Sequence, residues 1–178
     1  MSREIKRLKR ELKYEGKIIT VYSDQIRFPD GKTAQWDYIH HVGAAAVVPV
    51  LPNGNILMVK QFRNAVDRYT LEIPAGALDS AEEPGRVCAA RELEEETGYR
   101  AERLEWLITL RTTIAFCNER IEVYVATDLK TTQQNLDEDE YVEVASYPLE
   151  DLLNKIFSGE IEDSKTVSAL LAYKTKCS

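Results

Sequence analysis

The sequence predicts an α/β protein of the α+β kind: a mixed β-sheet sandwiched between helices, with an antiparallel strand region ahead of it. Three observations carry this expectation. The turn sequences Pro29-Asp30-Gly31-Lys32 and Pro52-Asn53-Gly54 each separate two extended runs, as hairpins require. Ala44 to Val50 is an unbroken run of small apolar residues, suited to a strand buried on both faces. The stretch from Pro84 to Gly98 has a proline near its start and a glycine at its end, the punctuation of a helix.

In chain order, Lys17 to Phe28 alternates apolar residues and pairs through the first turn with an extended run from Thr33 to His41. Residues 1–42 are read as the antiparallel region and 43–178 as the main domain. Ile56 to Phe62 follows the second turn, and Leu71 to Ile73 extends as far as Pro74-Ala75-Gly76. After the helix, Leu104 to Leu110, Arg120 to Ala126 and Tyr141 to Ser146 read as strands, and Leu149 to Ser158 and Ser164 to Lys174 as helices. The N-terminal basic cluster of Arg3, Lys6, Arg7, Lys9, Arg10 and Lys13 is read as a solvated helix or frayed end in preference to a nucleic-acid or membrane arm.

Composition narrows the function class. The 178 residues suffice for a full core, and 44% hydrophobic with 30% charged content is that of a globular protein. A net charge of −7 argues against general nucleic-acid binding. No apolar run approaches the ~20 residues that cross a bilayer, and the N-terminus lacks a secretory pattern. Cys88, Cys117 and Cys177 have no metal-ligand spacing and read as reduced thiols of a cytoplasmic protein.

The chemistry concentrates in Arg91 to Tyr99, which reads RELEEETGY. Glu92, Glu95 and Glu96 stand at i, i+3 and i+4, on one face of a helix. Like charges so placed repel by roughly 0.2–0.5 kcal/mol per pair even in water. A cation is the natural occupant, and carboxylate oxygens suit Mg²⁺ or Mn²⁺ better than zinc. Arg91, four residues before Glu95, can pair with it and fix its rotamer.

Gly76, Glu82, Arg91, Glu92, Leu93, Glu95, Glu96, Gly98 and Tyr99, on a strand–loop–helix segment, resemble the Nudix box of the Nudix hydrolases. The gap from Glu82 to Arg91 is one residue longer than the family pattern, so Glu82 or Glu83 could hold the first glutamate position. Val59-Lys60-Gln61-Phe62-Arg63, Leu71-Glu72-Ile73-Pro74-Ala75-Gly76 and the tail from Ser158 to Thr166 resemble the ADP-ribose pyrophosphatase branch. The resemblance implies the Nudix fold and a homodimer that exchanges its N-terminal region. It further implies metal-dependent hydrolysis of ADP-ribose to AMP and ribose 5-phosphate. Hydrolysis of another nucleoside diphosphate sugar, or a sensor that binds ADP-ribose without cutting it, are the alternatives.

Residue by residue, the resemblance puts Glu92 and Glu96 on the catalytic divalent ions, with Glu95 assisting and the Ala75 carbonyl completing a coordination shell. Arg63 would contact the diphosphate, and Glu119 would hold the terminal ribose. Glu138 would activate water from a mobile loop, with Glu140 its rival. Trp36 would stack on the adenine, or else pack in a dimer interface or the core; stacking is worth roughly 1–3 kcal/mol per base. His40 and His41, adjacent on a strand and facing opposite ways, are read as structural.

Overall fold

A computed structural model of the chain describes residues 4–136, 138 and 140–177. The chain forms two compact units: residues up to Gly43 together with Arg111–Arg120, and Ala44–Leu110 together with Ile121–Ser178.

The first unit is built on a three-stranded antiparallel sheet of β1 (Lys6–Glu15), β2 (Thr20–Arg27) and β3 (Thr33–His40), in that order. The sequence expectation for its start is wrong: the basic cluster lies on a strand, not a helix or frayed end, and Arg3 is outside the described residues. Cross-strand partners account for this. Arg10 donates from Nε and Nη2 to the buried Asp24 at 2.7 and 2.6 Å, and its guanidinium lies 3.7 Å from the centre of the Tyr38 ring. These bonds hold the Asp24 carboxyl below its usual range although burial opposes its charge. Such partners exist only once β2 and β3 are in place, so the local sequence carries no trace of them.

The segment from Arg111 to Arg120 lies against β3. Ile39 donates its N–H to the Phe116 carbonyl (2.7 Å) and accepts from the Asn118 N–H (3.2 Å). The Asn118 side chain clamps His41 reciprocally, accepting from its N–H at 2.8 Å and donating to its carbonyl at 3.1 Å. His41 is buried and its Nδ1 accepts from the Gly43 N–H at 3.0 Å, while His40 is exposed.

The second unit centres on β4 (Ala44–Pro49), which pairs in parallel with β9 (Arg120–Thr131) and antiparallel with β7 (Ala75–Ala77); β8 (Tyr99–Arg111) completes this four-stranded sheet. A second sheet runs β10 (Val142–Tyr147), β5 (Ile56–Arg63), β6 (Arg68–Glu72). Alternation along β4 sends successive side chains to opposite cores. Ala45 and Val47 pack with Cys88, Ala89 and Leu93 of helix α1 (Gly85–Thr97). Ala46 and Val48 pack with Ile56 and Met58, with Leu152 of α2 (Leu149–Phe157), and with Leu170 of α3 (Ser164–Cys177). The mixed sheet covered by helices is therefore the arrangement the sequence predicts. None of the helices is long and apolar enough to cross a membrane, among the described residues.

Candidate active site

Helix α1 begins one residue after Pro84 and ends at Gly98, whose φ of 67° is the left-handed cap that favours glycine. No acid lies in its first turn; Glu82 and Glu83 fall short of it. The side chain of Glu122, on β9, comes up to Gly85 instead: a β-carbon built there would meet its Oε2 at 2.4 Å. A carboxylate brought from another strand thus stands at the positive end of the helix.

The helix buries a stripe of Cys88, Ala89, Glu92, Leu93, Glu96 and Thr97. Two of the glutamates that the sequence marks are therefore on the core face, not the solvated one. Glu92 is 8% exposed and Glu96 2%. Glu96 Oε2 accepts the Ala75 N–H at 3.0 Å. Glu92 presses on β7 so closely that a β-carbon on Gly76 would lie 2.1 Å from its Oε1. Any side chain at position 76 would have to displace the Glu92 carboxylate. Burial pushes both carboxyls up; for Glu92 the charge of Arg91 opposes the rise, and for Glu96 the charge of Glu92 adds to it. The charge of Glu140 adds to both.

Arg91 ties the segment together. Its Nη1 donates to Glu92 (2.6 Å) and Glu95 (3.0 Å), its Nη2 donates to the Ala77 carbonyl (3.1 Å), and its Nε lies 3.6 Å from Glu83. Glu83 is mostly buried there and accepts the Asp79 N–H at 2.7 Å. Of the two adjacent acids Glu82 and Glu83, it is Glu83 that reaches Arg91. The helix itself runs unbroken, so Arg91 through Glu96 keep their phase.

The Glu92 and Glu96 carboxylates, with the Ala75 carbonyl that the resemblance adds to them, are hard oxygens; both carboxylates are buried, Arg91 bonds Glu92, and the charge of Arg63 acts on Glu96. That chemistry fits a divalent ion such as Mg²⁺ or Mn²⁺. The Glu95 carboxylate is turned onto Arg91, and no group of three or more His, Cys, Asp or Glu side chains stands arranged around a common metal position, among the described residues. Cys88 packs under this segment with its Sγ 3.6 Å from the Gly76 carbonyl, and burial pushes its thiol up to about 12, which leaves it inert.

Arg63, at the end of β5, is gripped along one edge by Glu72: Nε to Oε1 at 2.8 Å and Nη2 to Oε2 at 2.7 Å. Glu72 also accepts from Thr70 Oγ1 (2.6 Å) and from Lys165 Nζ. Burial opposes its charge, but Arg63 and Lys165 outweigh that and hold its carboxyl at about 2. Glu72, Lys165 and Asp163 are partners that the sequence reading passed over. A glutamate between Leu71 and Ile73 on a buried strand was the available signal. Gln61, on the same strand face as Arg63, has a buried Nε2 with no hydrogen-bond partner among the described residues.

Of the two carboxylates proposed to activate water, Glu140 is half-buried and acts on Glu92 and Glu96 as above. Glu138 is exposed in a turn. In the first unit, Glu119 accepts from Thr112 Oγ1 at 2.6 Å and lies 3.8 Å from His41 Nδ1. Trp36 is 47% exposed, so it is not a core residue of this chain; it meets Phe28 edge-on at 5.9 Å. With Val21, Ile39 and Phe116 it lines a cleft of ≈590 Å³.

Residues 39–170 match the NUDIX domain family. An ADP-ribose pyrophosphatase of Bacillus subtilis (strain 168) is 42% identical over 171 residues, covering 95% of this chain and 92% of the relative. A methanol dehydrogenase activator of Bacillus methanolicus is 41% identical over 169 residues, covering 94% and 91%. Among solved structures, an ADP compounds hydrolase superposes with a TM-score of 0.85 over 97% of this chain and 93% of its own, at 22% identity, a likeness of fold. The glycine that yields its space to Glu92, and the helix that buries Glu96, lie inside the matched region, and the chain belongs to the NUDIX domain family.

Proposed function

We propose that the protein is a metal-dependent pyrophosphohydrolase that splits ADP-ribose into AMP and ribose 5-phosphate, acting in the cytoplasm as a homodimer with Mg²⁺ or Mn²⁺. The observation that carries this reading is the buried pair Glu92 and Glu96. A fold gains nothing from two adjacent buried carboxylates unless a cation joins them. The relative named an ADP-ribose pyrophosphatase, matched over 92% of its length, supports the choice of substrate. The half-exposed apolar side chains of Leu8, Leu12 and Tyr14 on β1 support a self-associating surface.

In this reading Glu92 and Glu96, with the Ala75 carbonyl, hold the divalent ion, and Glu95 assists from beside Arg91. The ion supplies positive charge that a diphosphate otherwise lacks. Arg63 binds the diphosphate through the edge of its guanidinium not taken by Glu72. Glu119 holds the terminal ribose and Trp36 stacks on the adenine. Water attacks one phosphorus, the bridging P–O bond breaks, and the water's proton passes to a carboxylate. Glu140 is favoured over Glu138 for that proton, because its charge already reaches Glu92 and Glu96. Arg91 orients Glu92 and Glu95 and takes no part in the bond changes.

The test is a hydrolysis panel with Mg²⁺ or Mn²⁺: ADP-ribose, GDP-mannose, UDP-glucose and diadenosine polyphosphates, with products separated by chromatography. AMP and ribose 5-phosphate from ADP-ribose alone is the expected result. Preferential cleavage of another sugar nucleotide would move the substrate, and binding without cleavage would make the protein a sensor. Addition to a methanol dehydrogenase assay adds an arm suggested by the second relative's name.

A further inference from the structure

Arg63 and Glu72 form a pair whose geometry exceeds what stability asks of it. Glu72 is 2% exposed, yet it takes both N–H groups along one edge of the Arg63 guanidinium. A buried ion pair is a weak source of stability, since removing two charges from water costs about what their attraction returns. Apolar side chains of similar volume would hold β5 to β6 as well. What the pair adds is direction. A free arginine side chain loses rotamer freedom when it binds a ligand, and a two-point grip removes that freedom before any ligand arrives. Nη1 makes no hydrogen bond among the described residues, so the gripped guanidinium keeps its other edge for an anion. The negative charge of Glu96 also acts on Arg63, which places this edge within electrical reach of the glutamate helix.

Glu72 is held in turn from the far end of the chain. Lys165 bonds Glu72 and lies 2.9 Å from Asp163. Asp163 accepts from Thr166 twice, from its N–H at 3.0 Å and its Oγ1 at 2.6 Å. Thr166 Oγ1 in turn accepts the Ile73 N–H at 3.1 Å, one residue after Glu72. The first turn of α3 is thereby bonded to the strand end that carries Glu72. Lys165 offsets part of the Glu72 charge, so that Glu72 does not wholly neutralise the arginine it grips.

We propose that Glu72 is a positioning residue that aims Arg63 at the diphosphate of the substrate, and that the Asp163–Thr166 turn, through Lys165, fixes Glu72. This deepens the function proposed above and rests on it for the identity of the ligand. Glu72 touches no substrate; it acts through Arg63, so its effect falls on affinity and vanishes when Arg63 is gone.

A double-mutant cycle on the full chain reads this, with KM and kcat for ADP-ribose and the Kd of inorganic pyrophosphate as the simplest diphosphate probe. Glu72→Gln should raise KM and the pyrophosphate Kd about tenfold, about 1.4 kcal/mol, with kcat changed less than about threefold. Arg63→Ala should do the same or more. In the Arg63→Ala background, Glu72→Gln should cost nothing further. Independent losses that multiply, or a fall in kcat at unchanged KM, overturn the proposal. Should Glu72→Gln fail to fold, Lys165→Met leaves the arginine fork in place and is run through the same cycle. It should raise the pyrophosphate Kd about threefold only while Arg63 is present, and an equal rise in both backgrounds overturns the proposal. If the wild type cleaves no sugar nucleotide, the function above falls while the pyrophosphate arm still decides the Arg63–Glu72 coupling. If the wild type is active but the coupling is absent, the positioning role alone falls.

Discussion

Glu72 and Glu96 are the same residue type at the same 2% exposure, and their surroundings are opposite. Glu72 carries a two-point arginine, a lysine and a threonine hydroxyl, and its carboxyl is held at about 2. Glu96 has one backbone N–H and a neighbouring carboxylate, and its carboxyl is pushed up. Burial opposes both charges, and bonded cations overcome it only at Glu72. Glu72 has its cations bonded to it; Glu96 has no cation bonded to it among the described residues, and the charge of Arg63 does not offset its burial. In the function proposed above, that contrast separates a carboxylate held by the chain itself from one that awaits an ion.

The largest effect expected from breaking it is in rate. Glu96→Gln keeps the shape and the Ala75 contact but removes the charge that calls for a cation. Turnover should fall about 10³-fold, about 4 kcal/mol of barrier. The melting temperature should hold or rise, because an amide is cheaper to bury than a repelled carboxylate. An active variant, or one that melts far below the wild type, would sink the reading of Glu96 as a binding group.

Glu72 should instead show itself in acid. Its folded pKa of about 2 lies below the unfolded value near 4.5, so its stabilisation is complete above the unfolded value and is lost as pH falls through 4.5 toward 2. The amount is on the order of 3 kcal/mol. Denaturant unfolding of wild type and Glu72→Gln at pH 6 and at pH 2.5 measures it. The gap between the two proteins should narrow at the lower pH, and a constant gap would mean that the charge of Glu72 is not what matters. At Glu92 and Glu96 the lever is the ion. Mg²⁺ or Mn²⁺ at a hundred times its Kd should add about 2.7 kcal/mol to the wild type. It should add nothing to a protein carrying both Glu92→Gln and Glu96→Gln. Equal stabilisation of the two would place the ion elsewhere.

How far the sequence revealed these sites follows the range of the interactions involved. The helix from Gly85 to Thr97, its cap at Gly98 and the spacing of Glu92, Glu95 and Glu96 are set within a few residues, and all were legible. So was the doubly buried strand at Ala44, because both faces of a strand are written in consecutive letters. The strand at Lys6 was not, since its cause is Asp24 and Tyr38 on two other strands. Glu83 could not be told from Glu82 until the loop showed which one reaches Arg91. Glu72 with Lys165, 93 residues apart, leaves no periodic trace at all. Charge partners drawn from distant segments lie outside what local spacing encodes.

Gly76 connects the two kinds of site and gives the smallest of these effects. Its missing side chain is what lets the Glu92 carboxylate lie buried against β7, where a β-carbon would sit 2.1 Å from Oε1. Arg91 holds that carboxylate at 2.6 Å from the other side, so it has little room to retreat. Gly76→Ala should therefore force Glu92 outward or toward Glu96, at an overpacking cost of about 1–2 kcal/mol. Activity should drop about tenfold, and raising the divalent ion concentration should recover part of it, because the displaced carboxylate binds the ion more weakly but is still present. Adding Glu92→Ala to Gly76→Ala should restore none of the lost rate but some of the lost stability, because it removes the crowding group. If Gly76→Ala is as active and as stable as the wild type, the close approach of Glu92 to the strand is not what holds it in place, and its buried position would have to rest on Arg91 alone.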